Sequence, residues 1–235
     1  MTLPCSRKKP FRLQDFEAQA SVTENGNLSA MFITFEGPEG SGKTTQIKAL
    51  QAHLQALGMG VCTTREPGGT VISDQVRAIL TSLENTAMHP RTEILLFLAA
   101  RAQLVEEVIR PQLRAGNVVI SDRYADSTLA YQGYGHGYDL DRLRLLLEFA
   151  TDGLWPDLTL LLDIDPAIGL ARKRRGGEWN RLDAYAEAFH QRVRAGYLEL
   201  AARDPQRWVI IDASRPCEEV QAAVRRVVLA RLQPS

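Results

Sequence analysis

The stretch MFITFEGPEGSGKTTQ, Met31 to Gln46, decides how this 235-residue chain is read. Met31 to Phe35 is a short apolar run rich in β-formers, suited to a buried strand, and it breaks into glycines. Gly37, Pro38, Glu39, Gly40, Ser41, Gly42, Lys43 and Thr44 then satisfy G-x-x-x-x-G-K-[ST] in full. Glycines at those places let backbone N–H groups turn inward on a polyphosphate, Lys43 reaches its β- and γ-phosphates, and Thr44 offers a hydroxyl to Mg²⁺. A helix has to begin here to aim its positive end at the anion. Thr44 to Leu57 has the spacing for one, with Ile47, Leu50, Leu54 and Leu57 on one stripe.

Outward from that centre, charge and cysteine content exclude several classes. The 28 basic and 28 acidic residues cancel, so no global field favours nucleic acid or an anionic membrane. Three widely spaced cysteines give neither a zinc pattern nor a disulfide framework, which fits a reducing cytoplasm. No apolar run is long enough for a membrane span. Residues 1–30 are polar and precede the first strand, and we read them as a disordered N-terminal extension of a single domain over 31–235.

Further strands are expected at Gly60–Thr64, Asn117–Asp122, Asp157–Asp163 and Trp208–Asp212. Helices are expected at Val71–Leu83 (Val76, Ile79 and Leu80 inward), from Arg91 (Ile94, Leu95, Leu98, Leu104 and Val108 buried), and from Asp139. Three more should follow: one after Asp165-Pro166, one ending at about Arg203, and one from Cys217 to Leu232. Pro111 should kink or end the helix from Arg91, and the segment Ser127–Gly133 leads into a glycine-rich loop to Gly137. Alternation of strand and helix predicts an α/β fold: a five-stranded parallel sheet with helices on both faces. Asp122 closes its strand as a Walker-B-like Mg²⁺ partner would, and arginines at several strand ends suit two anionic substrates. Phe97 fits a core position as well as a base platform, although Arg101 one turn on shares its helix face and needs a partner. Arg77 reads equally as a solvated arginine, Tyr131 as a core tyrosine, and His190 as a surface or cap residue. Arg172 to Arg175 followed by Gly176-Gly177 form a basic loop.

FEGPEGSGKTTQ, TREPGGT, LLFLAARAQL, DRYADSTLAYQG and NRLD, in this order and spacing, resemble the bacterial thymidylate kinase family from about Met31 to the C-terminus. The resemblance implies a nucleoside-monophosphate kinase fold with a short lid over about 172–183, a homodimer, and ATP-dependent conversion of dTMP to dTDP with Mg²⁺. It implies that Glu39 meets the sugar 3′-hydroxyl or its metal-bound water, that Arg65, Arg77 and Arg123 hold the acceptor phosphate, and that Asp122 and Thr44 serve Mg²⁺. Phe97 would stack on thymine, Arg101 would hydrogen-bond the base, Thr128 and Gln132 would read its polar edge, and Tyr131 would crowd the 2′ position. Lys43 and Arg123 would act in transfer together with a lid arginine, since the P-loop's variable positions hold none. Arg175 is the first candidate and Arg181 the second. The chain departs from its relatives at Gly176, where some carry the lid arginine, and at His136, where arginine is common. The rival readings are a non-catalytic P-loop switch and a kinase of another nucleoside monophosphate.

Overall fold

A computed structural model describes residues 30–176 and 179–232, so the extension read as disordered and Gly177 of the lid fall outside the described residues. The five strands are β1 (Met31–Glu36), β2 (Val61–Arg65), β3 (Val118–Asp122), β4 (Leu158–Asp163) and β5 (Trp208–Asp212). They form one parallel sheet in the order β2-β3-β1-β4-β5. Strand order changes direction at β1, and ligands of such sheets bind beyond the carboxyl ends at that point. Register places Phe35 beside Asp122, and Asp122 beside Arg65, so three chemistry-bearing strand ends meet there.

Period-two alternation divides the core. Ile33, Phe35, Val118, Ile120, Leu158, Leu160 and Leu162 face α1 (Lys43–Ala56) and α9 (Cys217–Leu232), where Leu50, Leu54, Val224 and Val228 complete the layer. Phe32, Val119 and Leu161 face the other layer, built from α3 (Pro90–Leu104), α6 (Leu140–Thr151) and α8 (Glu187–Arg203). α2 (Val71–Thr81) lies against α3. It starts where Thr70 Oγ1 accepts from Ser73 N at 3.0 Å, and α6 starts where Asp139 accepts from Arg142 N at 2.8 Å.

Several local expectations are corrected. Leu57, Ile79 and Leu95 stand exposed rather than buried. Pro111 does not end its helix: Val105–Ile109 widens to a π-helical turn, in which Arg110 N–H donates to Val105 O five residues back, and Pro111 enters as the second residue of α4 (Arg110–Arg114). Its missing N–H is harmless there. The glycine-rich loop expected up to Gly137 begins later than read, because α5 (Ala125–Thr128) runs into a π-helical segment, Leu129–Gly135. Gly135 lets that segment press on the Phe189 ring of α8. His190 is buried, and Arg172 to Gly176 are the last turn of α7 (Pro166–Gly176), not a loop.

Gly40 and Gly169 join the P-loop to α7. A Cβ on Gly169 would fall within the van der Waals radius of Glu39 O, and one on Gly40 would collide with Gly169 O. Backbone meets backbone at this point, and only glycine on both sides permits it.

Candidate active site

The cleft beyond the strand ends has a volume of about 970 Å³. At one end, the turn from β1 to α1 carries Lys43, whose Nζ donates to Gly37 O and Pro38 O at 3.1 Å and to Ser41 Oγ at 3.3 Å. Burial, with Arg123 nearby, pushes the Lys43 ammonium down to about 8, against the pull of Asp122 and Glu39. Thr44 Oγ1 donates to Asp122 Oδ2 at 2.9 Å, bringing the two oxygens that the sequence reading assigned to Mg²⁺ side by side. Among the described residues no group of three or more His, Cys, Asp or Glu could hold a metal alone. One carboxylate and one hydroxyl, completed by phosphate oxygens and water, suit Mg²⁺, which seldom occupies an all-protein cage.

Arg123 occupies the centre. It follows β3 with φ 71°, a left-handed conformation uncommon outside glycine, and this turns its side chain back across the cleft floor. Nη2 donates to Glu39 Oε1 at 2.6 Å, and Nη1 to Gly37 O at 3.0 Å and Tyr197 OH at 3.1 Å. Tyr131 OH donates to the same Glu39 oxygen at 3.0 Å, and its ring lies under the Arg123 guanidinium at 5.0 Å. Burial opposes ionisation of Glu39, but Arg123, Lys43 and Lys173 outweigh it and hold the carboxyl well below the usual range.

Beneath this layer lies Glu36, fully buried, accepting from Tyr124 N (2.8 Å), Ser127 Oγ (2.6 Å) and Tyr197 OH (2.8 Å). Burial first, then the Asp126 charge, raise it from its ordinary 4.5 to about 7. Between those pH values the native chain keeps a proton that the unfolded chain has released. Stability therefore falls as pH rises through the window, by roughly 3 kcal/mol, and levels off above it. Glu36→Gln is expected to flatten this decline, as read from urea unfolding at pH 5 and pH 8. An undiminished decline in the variant would assign the proton elsewhere.

The other end of the cleft is walled by aromatic and polar side chains. Phe97 is half-buried and lines it, with Arg101, Thr128, Tyr131 and Gln132. Arg101 is buried; Nε donates to Glu66 Oε2 (2.8 Å), Nη1 to Thr128 Oγ1 (3.0 Å) and Nη2 to Tyr124 O (3.1 Å), so the partner it needed is Glu66. Gln132 Nε2 donates to Glu93 Oε1 at 2.8 Å. Arg65 and Arg77 stand on the rim: Arg65 is paired with Asp74 at 3.7 Å, and Arg77 Nη1 donates to Pro67 O at 2.8 Å.

The lid departs most from expectation. Arg181, second candidate for the transferring cation, is buried under α3. Its Nη2 donates to Glu93 Oε2 at 2.6 Å, Nε to Leu80 O at 2.9 Å and Nη1 to Tyr185 OH at 2.9 Å. It is thus a neutralised anchor in this conformation. Arg175 is exposed at the end of α7 and is not among the residues lining the cleft. Lys173, which the search for arginines passed over, does line it, 3.4 Å from Glu39 Oε2 and 2.9 Å from Asp183 Oδ1. Arg172 lines it too, with Nη1 donating to Ala213 O at 3.1 Å. Glu36 and Glu93 also escaped the sequence reading. Their only signal was position, one before the P-loop and one a turn ahead of Phe97.

A P-loop at the switch point of a five-stranded parallel sheet, with an arginine-lined second pocket and a short helical lid, defines a nucleotide kinase of the P-loop α/β class. Residues 35–224 match the family model for thymidylate kinase. The chain is 53% identical over 211 residues to a thymidylate kinase of Roseiflexus sp. (strain RS-1), covering 85% of this chain and 93% of that one. It is 50% identical over 201 residues to one of Deinococcus radiodurans, with 86% and 97% covered. A crystal structure of thymidylate kinase from Ehrlichia chaffeensis superposes with a TM-score of 0.69 at 34% identity, covering 86% of this chain and 99% of that one. The chain belongs to the thymidylate kinase family.

Proposed function

We propose that this chain transfers the γ-phosphoryl group of ATP to dTMP, giving dTDP. One observation carries the reading: the P-loop and a wall of Phe97, Arg101, Thr128 and Gln132 line a single cleft, with the Glu39–Arg123 pair between them. The acceptor phosphate is already ionised, so the reaction needs no strong base and no covalent enzyme intermediate. Catalysis is positioning and charge neutralisation. Lys43 exchanges the P-loop carbonyls it now meets for β- and γ-phosphate oxygens. Arg123 holds the acceptor phosphate from below, with Arg65 and Arg77 at the rim, while Glu39 and Tyr131 bracket the sugar. Phe97 stacks on the base, and Arg101, Thr128 and Gln132 meet its edge. Mg²⁺, held by Thr44 and Asp122, would supply charge neutralisation between the β- and γ-phosphates. A coupled assay of ADP release with dTMP, dUMP and dCMP as acceptors tests the reading. No acceptor-dependent turnover would leave a nucleotide switch, and a preference for another monophosphate would replace the substrate.

The lid contributes its cation on closure. Lys173→Ala is expected to cut kcat about tenfold with a smaller change in KM for dTMP, because its charge meets negative charge that develops in transfer. Arg175→Ala should do the same if closure brings the end of α7 inward. Both variants within threefold of the parent would remove the lid from catalysis.

A homodimer is part of the same proposal. Leu95 of α3 and Leu145, Leu146 and Phe149 of α6 are exposed on helices that pack together, and Phe149 is 88% exposed. Such a patch marks an interaction face. Sedimentation should give twice the 26.1 kDa chain mass, and Phe149→Asp should give the chain mass alone; a monomeric parent would sink the proposal. No helix among the described residues is long and apolar enough to cross a membrane, and we place the enzyme in the cytoplasm. Equal yields in membrane and soluble fractions of lysed cells would count against that.

A further inference from the structure

Glu93 sits on α3, buried, beyond the base pocket and out of reach of a substrate. Its two oxygens have separate clients. Oε1 accepts from Gln132 Nε2 at 2.8 Å, with His136 Nε2 3.6 Å away, while Oε2 accepts from Arg181 Nη2 at 2.6 Å and Tyr185 OH at 3.0 Å. Burial opposes ionisation of this carboxyl, but His136, Arg181 and Gln132 around it outweigh burial and hold it at about 2. An ionised carboxylate only accepts. Of the two ends of the Gln132 carboxamide, the NH₂ must therefore face Glu93, which leaves the carbonyl oxygen for the cleft that Gln132 lines. Arg101 is likewise restricted to donating, and Glu66 fixes it from behind. The pocket thus shows a base one donor and one acceptor in a set order.

We propose that Glu93 is a positioning residue that sets base specificity: by fixing the Gln132 carboxamide with its oxygen toward the cleft, it selects pyrimidines with an N3–H donor beside a 4-oxo acceptor and rejects cytosine, whose edge has the reverse order. The inference rests on Gln132 meeting the base, as in the proposed function. Rejection by wrongly paired polar groups is far stronger than rejection by a methyl-sized difference in shape.

Glu93→Gln gives a direct test. With Arg181 and Tyr185 donating on one side, the new carboxamide turns its oxygen to them and its NH₂ to Gln132, which must then invert. The expected result is a fall of about tenfold or more in the dTMP-to-dCMP ratio of kcat/KM. Arg181→Lys keeps a cation beside the Glu93 carboxylate but gives up the bonds to Leu80 O and Tyr185 OH, so it should lower the melting temperature and leave the ratio within about twofold. Gln132→Ala should lower the ratio as well.

If Glu93→Gln leaves the ratio unchanged while Gln132→Ala lowers it, the positioning role is overturned and base reading by Gln132 stands. If Gln132→Ala changes nothing, the base reading itself fails and the inference with it. An equal fall in Arg181→Lys would assign the effect to the lid and also overturn the inference. Should Glu93→Gln not fold, the parent decides. Its Gln132 side-chain amide protons, assigned by their loss in Gln132→Ala, should include one shifted downfield by Glu93 that stays there when dTMP is added. A return to the free-carboxamide position on dTMP binding would overturn the inference.

Discussion

Lys43→Ala is expected to lower turnover by about a hundredfold or more, with the fold retained. The ammonium is buried among Gly37 O, Pro38 O and Ser41 Oγ, and it is the P-loop side chain able to follow charge onto the leaving phosphate oxygens. Burial brings its ionisation down toward about 8, so the charge is present at neutral pH but thinly hydrated, which strengthens it toward an anion. Steady-state kinetics at saturating ATP and dTMP, with the melting temperature as a control, checks this. Turnover within threefold of the parent would dismiss the P-loop lysine as a catalytic charge.

Arg123→Ala should cost more, about a thousandfold in kcat/KM for dTMP, in the range expected of an arginine that stabilises phosphoryl transfer. Two effects add here. The guanidinium spans Glu39 on one side and Gly37 O and Tyr197 on the other, and its removal leaves Glu39 short of its closest cation and Glu36 beneath without a compensating charge. Arg123→Lys should restore little, because one ammonium cannot reach both sides of that fork. Full recovery with lysine would reduce the role of Arg123 to a point charge.

The fold was legible because its signals are local. The P-loop, the β-rich runs and the helix start at Asp165-Pro166 each lie within a few residues, and the strand ends meet where parallel sheets place ligands. Arg181 shows what was not legible. Beside Asn180 and Asp183 it reads as a free lid cation, and nothing nearby announces that Glu93 neutralises it 88 residues earlier in the chain. Ser127–Gly135 misled in the opposite sense. Gly133 and Gly135 look like loop punctuation, but they are there because α6 and α8 pack too closely for a side chain. Phe97 was undecidable by periodicity, since a half-buried cleft wall and a core face share one helical stripe.

The Gly40–Gly169 contact turns α7 into a lever with a fixed fulcrum. The seven steps from Gly169 to Gly176 form an arm of about 10 Å at 1.5 Å rise per residue, so rocking by about 20° sweeps its tip through about 3.5 Å. Lys173, about halfway along and 3.4 Å from Glu39, would travel half as far, whereas Arg175 would gain nearly the whole stroke. Proximity in the open arm and reach in the closed one thus belong to different cations. The gearing between them is set by where two glycines touch.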